Sequence, residues 1–165
     1  ALELARTHPA AVSRLVLDRV RMHDAAARRQ LRAHVDTTIE PVHDGSHLVQ
    51  AWTLVRDHEL YDPWFDRTRG AIRHVTPAGP AEIHRRTLEV LKAPTTFWQP
   101  SSASLSYPLE RALRSAPEDT LVCALADDAA KGDARKVAKL AGTRAVICDG
   151  ADARTEHVRA FLAND

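Results

Sequence analysis

The stretch TLVCALADDAAKGDARKVAKLAGTRAVIC, residues 120–148, decides the fold of this chain. Its hydrophobic runs at residues 120–126 and 144–148 have the length and composition of buried strands, and residues 130–140 between them offer the apolar side of a helix. A strand, a helix and a second strand in this order form a right-handed crossover between parallel strands. The sequence therefore predicts an α/β fold.

Segments at both ends of the chain extend this predicted sheet. ALELARTHPAAVSRLVLD, residues 1–18, begins with a helix that His8-Pro9 ends, and a buried strand follows at residues 15–17. No residue precedes that helix to cap it, so we expect a domain that begins upstream. Near the other end, residues 154–162 predict a helix with one apolar face that packs on the sheet.

The middle of the chain, residues 19–115, shows no strand pattern and is interrupted by prolines. Its periodicity predicts helices at residues 24–38, 46–60, 63–74, 80–91 and 109–114. The serine cluster at residues 101–106 has the composition of a loop. A helical insertion between two strands of a parallel sheet is how a cap, or lid, is built. We therefore predict a core of residues 1–18 and 116–165 and a helical cap of residues 19–115.

Composition and charge exclude several classes of partner. Basic and acidic residues, 23 and 22 in number, are spread along the chain and leave a net charge of +1, so we predict no nucleic-acid partner. No apolar run approaches the roughly 18 residues of a membrane span and no signal peptide begins the chain, which predicts a cytoplasmic protein without membrane contact. Cys123 and Cys148 lie in apolar runs as small hydrophobes, without a predicted redox role.

The order of these segments resembles the C-terminal half of the α/β-hydrolase fold superfamily, over nearly the whole chain. In that family a Gly-x-Ser-x-Gly turn leads into a helix, a His-Pro pair and a hydrophobic strand, as residues 1–18 would follow such a turn. A helical cap, a strand with the catalytic acid, a helix, another strand, a histidine loop and a last helix come next. The resemblance implies a partial parallel sheet of about three strands with a large cap insertion, and a nucleophile upstream of Ala1.

The resemblance also implies a catalytic acid. Residues 120–128, TLVCALADD, are similar to the family's Thr-Leu-Val-Leu-Trp-Gly-x-x-Asp strand, which places Asp128 at the acid position. There it would accept a hydrogen bond from the catalytic imidazole and stabilise the imidazolium. Asp127 takes this role if the turn is shifted by one residue. Alternatively, both carboxylates only begin the following helix, where they favour the positive end of its dipole.

The catalytic histidine of the family lies in a loop after the last strand, often as Gly-x-Gly-His. In this chain no histidine stands beside Gly150, and His157 falls within the predicted last helix. His157 either completes a triad or is a surface residue of an amphipathic helix. The nucleophile and the oxyanion hole of the family would both lie outside this chain.

Aromatic residues are concentrated in the middle of the chain. In a cap they would form the apolar roof of a substrate pocket, and otherwise they pack helices against each other. Trp64 after Pro63 is the first candidate for a pocket wall. The further candidates for substrate contact are Phe65, Trp52 and Trp98.

A short stretch rich in histidine and aspartate raises the question of a metal site. Its residues are His34, Asp36, His43, Asp44 and His47. Imidazole and carboxylate suit divalent ions, but this spacing matches no metal motif. Asp44 or Ser46 is better explained as the cap of the following helix. We predict no metal and no cofactor.

The resemblance implies a portion of an α/β-hydrolase-type, esterase-like enzyme that hydrolyses an ester, a thioester or a related carbonyl compound. Its substrate would be a small apolar molecule. A three-stranded sheet leaves an unpaired edge, so we expect an N-terminal half or another chain to pair with the first strand. The alternatives are a non-catalytic, degenerate hydrolase-like binding or interaction protein and a mainly helical small-molecule-binding domain.

Overall fold

The computed structural model describes residues 1–74 and 76–163. Helices and parallel strands are both present, so the predicted α/β class is confirmed. In chain order the elements are α1 (Leu2–Thr7), β1 (Leu15–Asp18), α2 (Ala25–Val35), α3 (Ser46–Leu60), α4 (Pro80–Lys92), α5 (Gln99–Ser106), α6 (Leu109–Leu113), β2 (Thr120–Leu125), α7 (Lys131–Leu140), β3 (Ala145–Cys148) and α8 (Ala151–Ala163).

The three strands form one parallel sheet in the order β1-β2-β3. Leu15 lies opposite Thr120 in one pair of strands, and Leu125 lies opposite Cys148 in the other. The central strand β2 is buried over residues 120–124, as expected of a hydrophobic parallel strand that is covered on both faces. Among the described residues, β1 and β3 each pair on one side only.

Helices α7 and α8 both pack against β2 and β3. Helix α7 connects these two strands and buries Ala134, Val137 and Ala138, which lie on one helix face at spacings of three and four residues. Helix α6 packs against α7 and also against α1, which adds Leu113 and Leu2 to the buried core. The apolar residues of α7 and the strands, which predicted the crossover, are thus residues of the buried core.

The chain divides into two compact units, one formed by Ala1–Asp24 with Pro108–Asp165 and the other by Ala25–Tyr107. The first unit contains the sheet, and the second contains α2 to α5. Within the second unit, α3 packs against α4 and α2 packs against α5. Ile39 and Ala51 are fully buried in this helical unit, which therefore has a core of its own.

The helix predicted at residues 63–74 is wrong. Asp62-Pro63 is a cis peptide, and a single 3₁₀ turn covers Arg69–Ala71. The segment folds back on the end of α3, where Asp62 N–H donates to the Ala71 carbonyl at 2.8 Å and Arg73 N–H to the Leu60 carbonyl at 2.8 Å. These bonds satisfy backbone groups that a helix would have used internally.

The loop predicted at residues 101–106 is also wrong, because these serines lie on α5. Pro100 stands in the first turn of that helix, where proline is favoured since its missing N–H has no helical partner. Ser106 Oγ donates to the Ser102 carbonyl at 3.0 Å, so this hydroxyl is satisfied within the helix. Elsewhere the predicted helices are found with ends that shift by a few residues, as in α2 and α8.

No helix in the described part of the chain combines the length and the apolarity that a membrane span needs.

Candidate functional site

The carboxyl ends of the three strands meet at one edge of the sheet, where open α/β sheets bind their ligands. Strand β1 ends at Asp18, β2 ends shortly before Asp127 and Asp128, and β3 ends at Cys148. We refer to this part of the first unit as the carboxyl edge. It contains the acid candidates predicted from the sequence.

Asp128 is held by contacts to both of its carboxylate oxygens. Oδ2 lies 2.5 Å from Nε of Arg19, and Oδ1 accepts a hydrogen bond of 2.7 Å from the backbone N–H of Ala130. The side chain is only 11% exposed. The Asp128 carbonyl in turn accepts from the N–H of Lys131, the first residue of α7, at 3.0 Å. Asp128 therefore organises the turn that begins α7.

Arg19 has an unusual backbone conformation. Its φ of 55° lies in the left-handed region, which costs a residue with a Cβ about 1–2 kcal/mol. Its N–H donates to the Cys123 carbonyl at 2.9 Å, so the backbone stays bonded to β2 one residue beyond the end of β1. The left-handed turn and this bond together aim the side chain at Asp128.

A second ion pair at the carboxyl edge joins β1 to α8. Asp18 Oδ2 lies 3.0 Å from Nη1 of Arg154, and the thiol of Cys123 donates to Asp18 Oδ1 at 3.5 Å. Burial and the adjacent Asp18 carboxylate raise the pKa of Cys123 to about 12. Burial also raises the pKa of Cys148. Both thiols are therefore protonated at neutral pH, and a protonated thiol is a poor nucleophile.

The chain that leaves β1 is attached to α7 as well. Asp133 Oδ2 accepts a hydrogen bond of 3.1 Å from the N–H of Met22 and lies 3.5 Å from Nε of Arg21. Asp133 stands in the first turn of α7. After β1, Arg19 is thus bonded to the sheet, and Arg21 and Met22 are bonded to α7.

The other two catalytic candidates lie apart from these contacts. Asp127 is exposed in the turn after β2, and His157 is exposed on α8. Within residues 1–74 and 76–163, no hydrogen bond or ion pair joins either of them to Asp128. Among the described residues, the structure therefore brings Asp128 together with Arg19 and not with an imidazole.

The sequence analysis missed Asp18, Arg19 and Arg154 as members of the carboxyl edge. A usable signal was present, because residues directly after a parallel strand lie at the edge where ligands bind, and Asp18 and Arg19 follow β1. Arg154 carried no such signal. It lies 136 positions from Asp18 and reaches it only through the packing of α8.

In the second unit, Trp64 and Phe65 stack on histidines of two different helices. Trp64 lies on His58 of α3, with ring centroids 4.5 Å apart, and Phe65 lies on His34 of α2 at 3.8 Å. The two aromatic rings meet edge to face at 5.2 Å. We refer to these four residues as the ring column. Both predicted substrate contacts in it are half-buried and already have packing partners.

The remaining aromatic candidates have separate surroundings. Trp52 is half-buried on α3, and Trp98 stands just before α5. Nε1 of Trp98 donates to the Thr95 carbonyl at 3.0 Å, so its polar group is satisfied locally. Their contact with a substrate remains a prediction.

A buried carboxylate in α3 anchors the loop that follows this helix. Asp57 is 3% exposed. Arg56 donates to its Oδ1 through Nε at 3.0 Å and Nη2 at 2.7 Å, and Arg67 donates to Oδ2 at the same two distances. Each oxygen thus accepts two hydrogen bonds from one guanidinium, and hydrogen bonds between charged groups are stronger than those between neutral ones.

Two side chains of the histidine- and aspartate-rich stretch accept hydrogen bonds from backbone N–H groups near the start of α3. Asp44 Oδ1 accepts a hydrogen bond from Ser46 N–H at 2.9 Å, which lowers the pKa of Asp44. Gly45, with a φ of 76°, is the residue that caps α3, in place of the predicted Asp44 or Ser46. Nδ1 of His47 accepts from the N–H of Val42 at 3.2 Å. In the part of the chain that the structure describes, no three His, Cys, Asp or Glu side chains are grouped as metal ligands.

Comparison of the chain with models of protein families, with curated proteins and with solved structures gives no match.

Proposed function

We propose that this chain is a portion of an α/β-hydrolase-type enzyme that hydrolyses an ester, a thioester or a related carbonyl compound with apolar substituents. The observation that supports this proposal is the position of Asp128. It follows the central strand of a parallel sheet, and a helical insertion separates that strand from β1 along the chain. The order of elements is the one that the resemblance implies.

In the proposed reaction, Asp128 accepts a hydrogen bond from the imidazole of a catalytic histidine. This contact would keep the imidazole in the required tautomer and stabilise the imidazolium that forms when it takes a proton from the nucleophile. His157 is the histidine candidate in this chain, and the nucleophile would lie upstream. A histidine elsewhere in the protein is the other possible partner of Asp128.

The edge of β1 that faces away from β2 pairs with no strand within residues 1–74 and 76–163, which supports an upstream or separate partner strand. Leu15 N–H donates to the Asp119 carbonyl and Arg19 N–H to the Cys123 carbonyl, at 2.9 Å each. Because strand residues alternate, the N–H groups of Val16 and Asp18 point away from β2. A further strand would satisfy these donors.

The contacts of Asp128 also favour a second candidate, a non-catalytic binding or interaction protein with a hydrolase-like fold. Arg19 and Ala130 already engage both carboxylate oxygens. A carboxylate that serves only to begin α7 and to hold Arg19 would have the same contacts. In the first candidate Asp128 is required for turnover, and in the second candidate its role is only structural.

The test is turnover of p-nitrophenyl butyrate by the natural protein that contains this sequence, with the substitution Asp128→Asn. Asparagine retains an oxygen for the Ala130 N–H but cannot stabilise an imidazolium. If Asp128 is the catalytic acid, we expect kcat to fall by about 10⁴-fold, as in hydrolytic triads, while the fold is kept. The matched control is Asp152→Asn, an exposed carboxylate in the first turn of α8.

Loss of the Arg19 ion pair by itself should cost no more than about 1 kcal/mol of stability. A decrease in turnover that only follows the folded fraction, measured by circular dichroism, would therefore assign Asp128 a structural role. Absence of turnover in the unsubstituted protein, across acyl chain lengths, would favour the non-catalytic protein.

A further inference from the structure

Two exposed arginines of the second unit are held by one buried carboxylate. We refer to Arg56, Asp57 and Arg67 as the Asp57 cluster. The carboxylate is buried, whereas the side chains of Arg56 and Arg67 are 42% and 61% exposed. Nη2 of each arginine lies 2.7 Å from an oxygen of this carboxylate. Both guanidiniums therefore lie on the solvent side of the same buried group.

The Asp57 cluster contains more positive than negative charge. One guanidinium is enough to neutralise the carboxylate, so two guanidiniums leave one positive charge in excess. Two further acidic residues of the same segments have other partners. Glu59 pairs with Arg86, and Asp66 accepts a hydrogen bond from the N–H of Thr68 at 2.9 Å. An anionic ligand would compensate for the excess charge.

Both arginines also have hydrogen-bond donors to spare. A guanidinium has five N–H donors, and each arginine directs only Nε and one N–H of Nη2 at Asp57. Within residues 1–74 and 76–163, neither Nη1 group has a hydrogen-bond partner. The cluster thus presents charge and donors together on two exposed side chains.

We propose that the Asp57 cluster is a binding site for the phosphate group of a small phosphomonoester. The planar fork of arginine matches the oxygens of phosphate and of carboxylate. A carboxylate has two oxygens, which one guanidinium can satisfy. The phosphate of a monoester has three free oxygens and a charge of about −2, which suits two guanidiniums. This site is separate from the proposed hydrolysis and does not depend on it.

Asp57 prepares both arginines for such a ligand. A long side chain loses rotamer freedom when a ligand immobilises it, and this loss weakens binding. In the Asp57 cluster, the contacts with the carboxylate already fix both guanidiniums. Arg56 stands on α3, and the segment that contains Arg67 is attached to the end of α3 through the N–H groups of Asp62 and Arg73. Asp57 is therefore a positioning residue of the site.

The experiment is a calorimetric titration of the natural protein that contains this sequence with phenyl phosphate at pH 7.5 and constant ionic strength. We expect Arg56→Gln and Arg67→Gln each to weaken binding about tenfold or more, because each removes charged hydrogen bonds to the ligand. Arg67→Lys keeps the charge and loses the fork, so its affinity should lie between those of the unsubstituted protein and Arg67→Gln. Arg29→Gln, at an exposed position of α2, makes the same change in charge and should leave the affinity unchanged.

Asp57→Asn separates positioning from attraction by net charge. The substitution adds one positive charge, so an attraction that depends only on charge would become stronger. A site that Asp57 positions should instead bind phenyl phosphate more weakly, in protein whose folding is verified by circular dichroism. Tighter binding in Asp57→Asn would overturn the positioned site. If this variant does not fold, the substitutions of the two exposed arginines decide the question.

Two further probes define the chemical class of the ligand. Benzoate has the same ring with a carboxylate and should bind more weakly, and an affinity equal to that of phenyl phosphate would overturn the choice of phosphate. Inorganic phosphate that binds as tightly as phenyl phosphate would support the site and replace the monoester by free phosphate. Absence of binding of both phosphates, or an affinity that Arg56→Gln and Arg67→Gln leave unchanged, would overturn the proposal.

Discussion

His58 shows how a single side chain responds to its surroundings in this protein. One face of its imidazole is covered by Trp64, although the residue remains exposed at the surface. Loss of hydration and the nearby Arg73 guanidinium lower the pKa of His58, and Asp57, Glu59 and Asp62 oppose this effect. The neutral imidazole is thus the form that the folded protein favours.

This lowered pKa predicts a pH dependence of stability. Below the ordinary histidine pKa of about 6.5, the unfolded chain binds a proton at His58 more readily than the folded protein does. We therefore expect the free energy of unfolding to fall as the pH decreases from 7.5 to 5.5, and this part of the decrease to vanish in His58→Phe. Urea unfolding at the two pH values measures the difference.

His157 provides the control for this measurement. It is exposed on α8, so His157→Phe controls for the replacement of a histidine by phenylalanine outside the contact with Trp64. An equal pH dependence in His58→Phe and in the unsubstituted protein would show that His58 titrates as an ordinary histidine.

At the scale of elements, Asp57 connects a helix to a loop. The carboxylate belongs to α3, and Arg67 reaches it from the segment after the helix. The same segment is bonded to the end of α3 through the backbone of Asp62 and Arg73, and Nη1 of Arg73 donates to the His58 carbonyl at 2.8 Å. Buried charge and backbone pairing therefore hold this loop together.

Removal of the charge of Asp57 should loosen this connection. Asparagine at position 57 accepts fewer hydrogen bonds and places an amide N–H₂ near a guanidinium. Because the two arginines are 42% and 61% exposed, they can be hydrated when they lose their partner. We expect Asp57→Asn to lower the free energy of unfolding by about 1–3 kcal/mol, measured by urea denaturation.

Asp36→Asn, at an exposed position after α2, is the matched control and should change the stability by less than about 0.5 kcal/mol. A double variant with Arg67→Gln should lose less than the sum of the two single losses, since both remove the same contact. If the two losses in free energy of unfolding add up in the double variant, Asp57 and Arg67 are not energetically coupled.

At the scale of the whole molecule, one edge of β1 pairs with no strand in the part of the chain that the structure describes, so it can pair with a strand of another chain. The N–H groups of Val16 and Asp18 face away from β2, and unpaired strand edges pair readily with other strands. Val16→Pro removes one of these outward donors without loss of a bond between β1 and β2, and proline is tolerated on edge strands.

We expect the isolated 165-residue chain to associate as its concentration increases, and Val16→Pro to remain monomeric, in sedimentation velocity experiments. Val16→Ala is the control because it shortens the same side chain and keeps the N–H. Association of Val16→Pro equal to that of the unsubstituted chain would exclude the β1 edge as the contact.

Local patterns explain how much of this architecture was predictable. The helix at residues 46–60 was predicted with its observed ends, and the three strands were predicted to within a residue or two, because apolar periodicity and turn residues act over short distances. The helix predicted at residues 63–74 was wrong because the partners of this segment are not local. Its backbone donors and acceptors bond to the end of α3, and no local pattern reports such a partner.

The sequence by itself determined the α/β class, the crossover from β2 to β3 and the position of Asp128 after the central strand, since these follow from the order of hydrophobic runs. Only the tertiary structure decided what Asp128 contacts. Arg19 and Asp128 are far apart in the sequence, and they meet because the parallel pairing of β1 with β2 brings both strand ends to one edge. Charge pairs of this kind depend on packing between distant segments, which the local sequence does not encode.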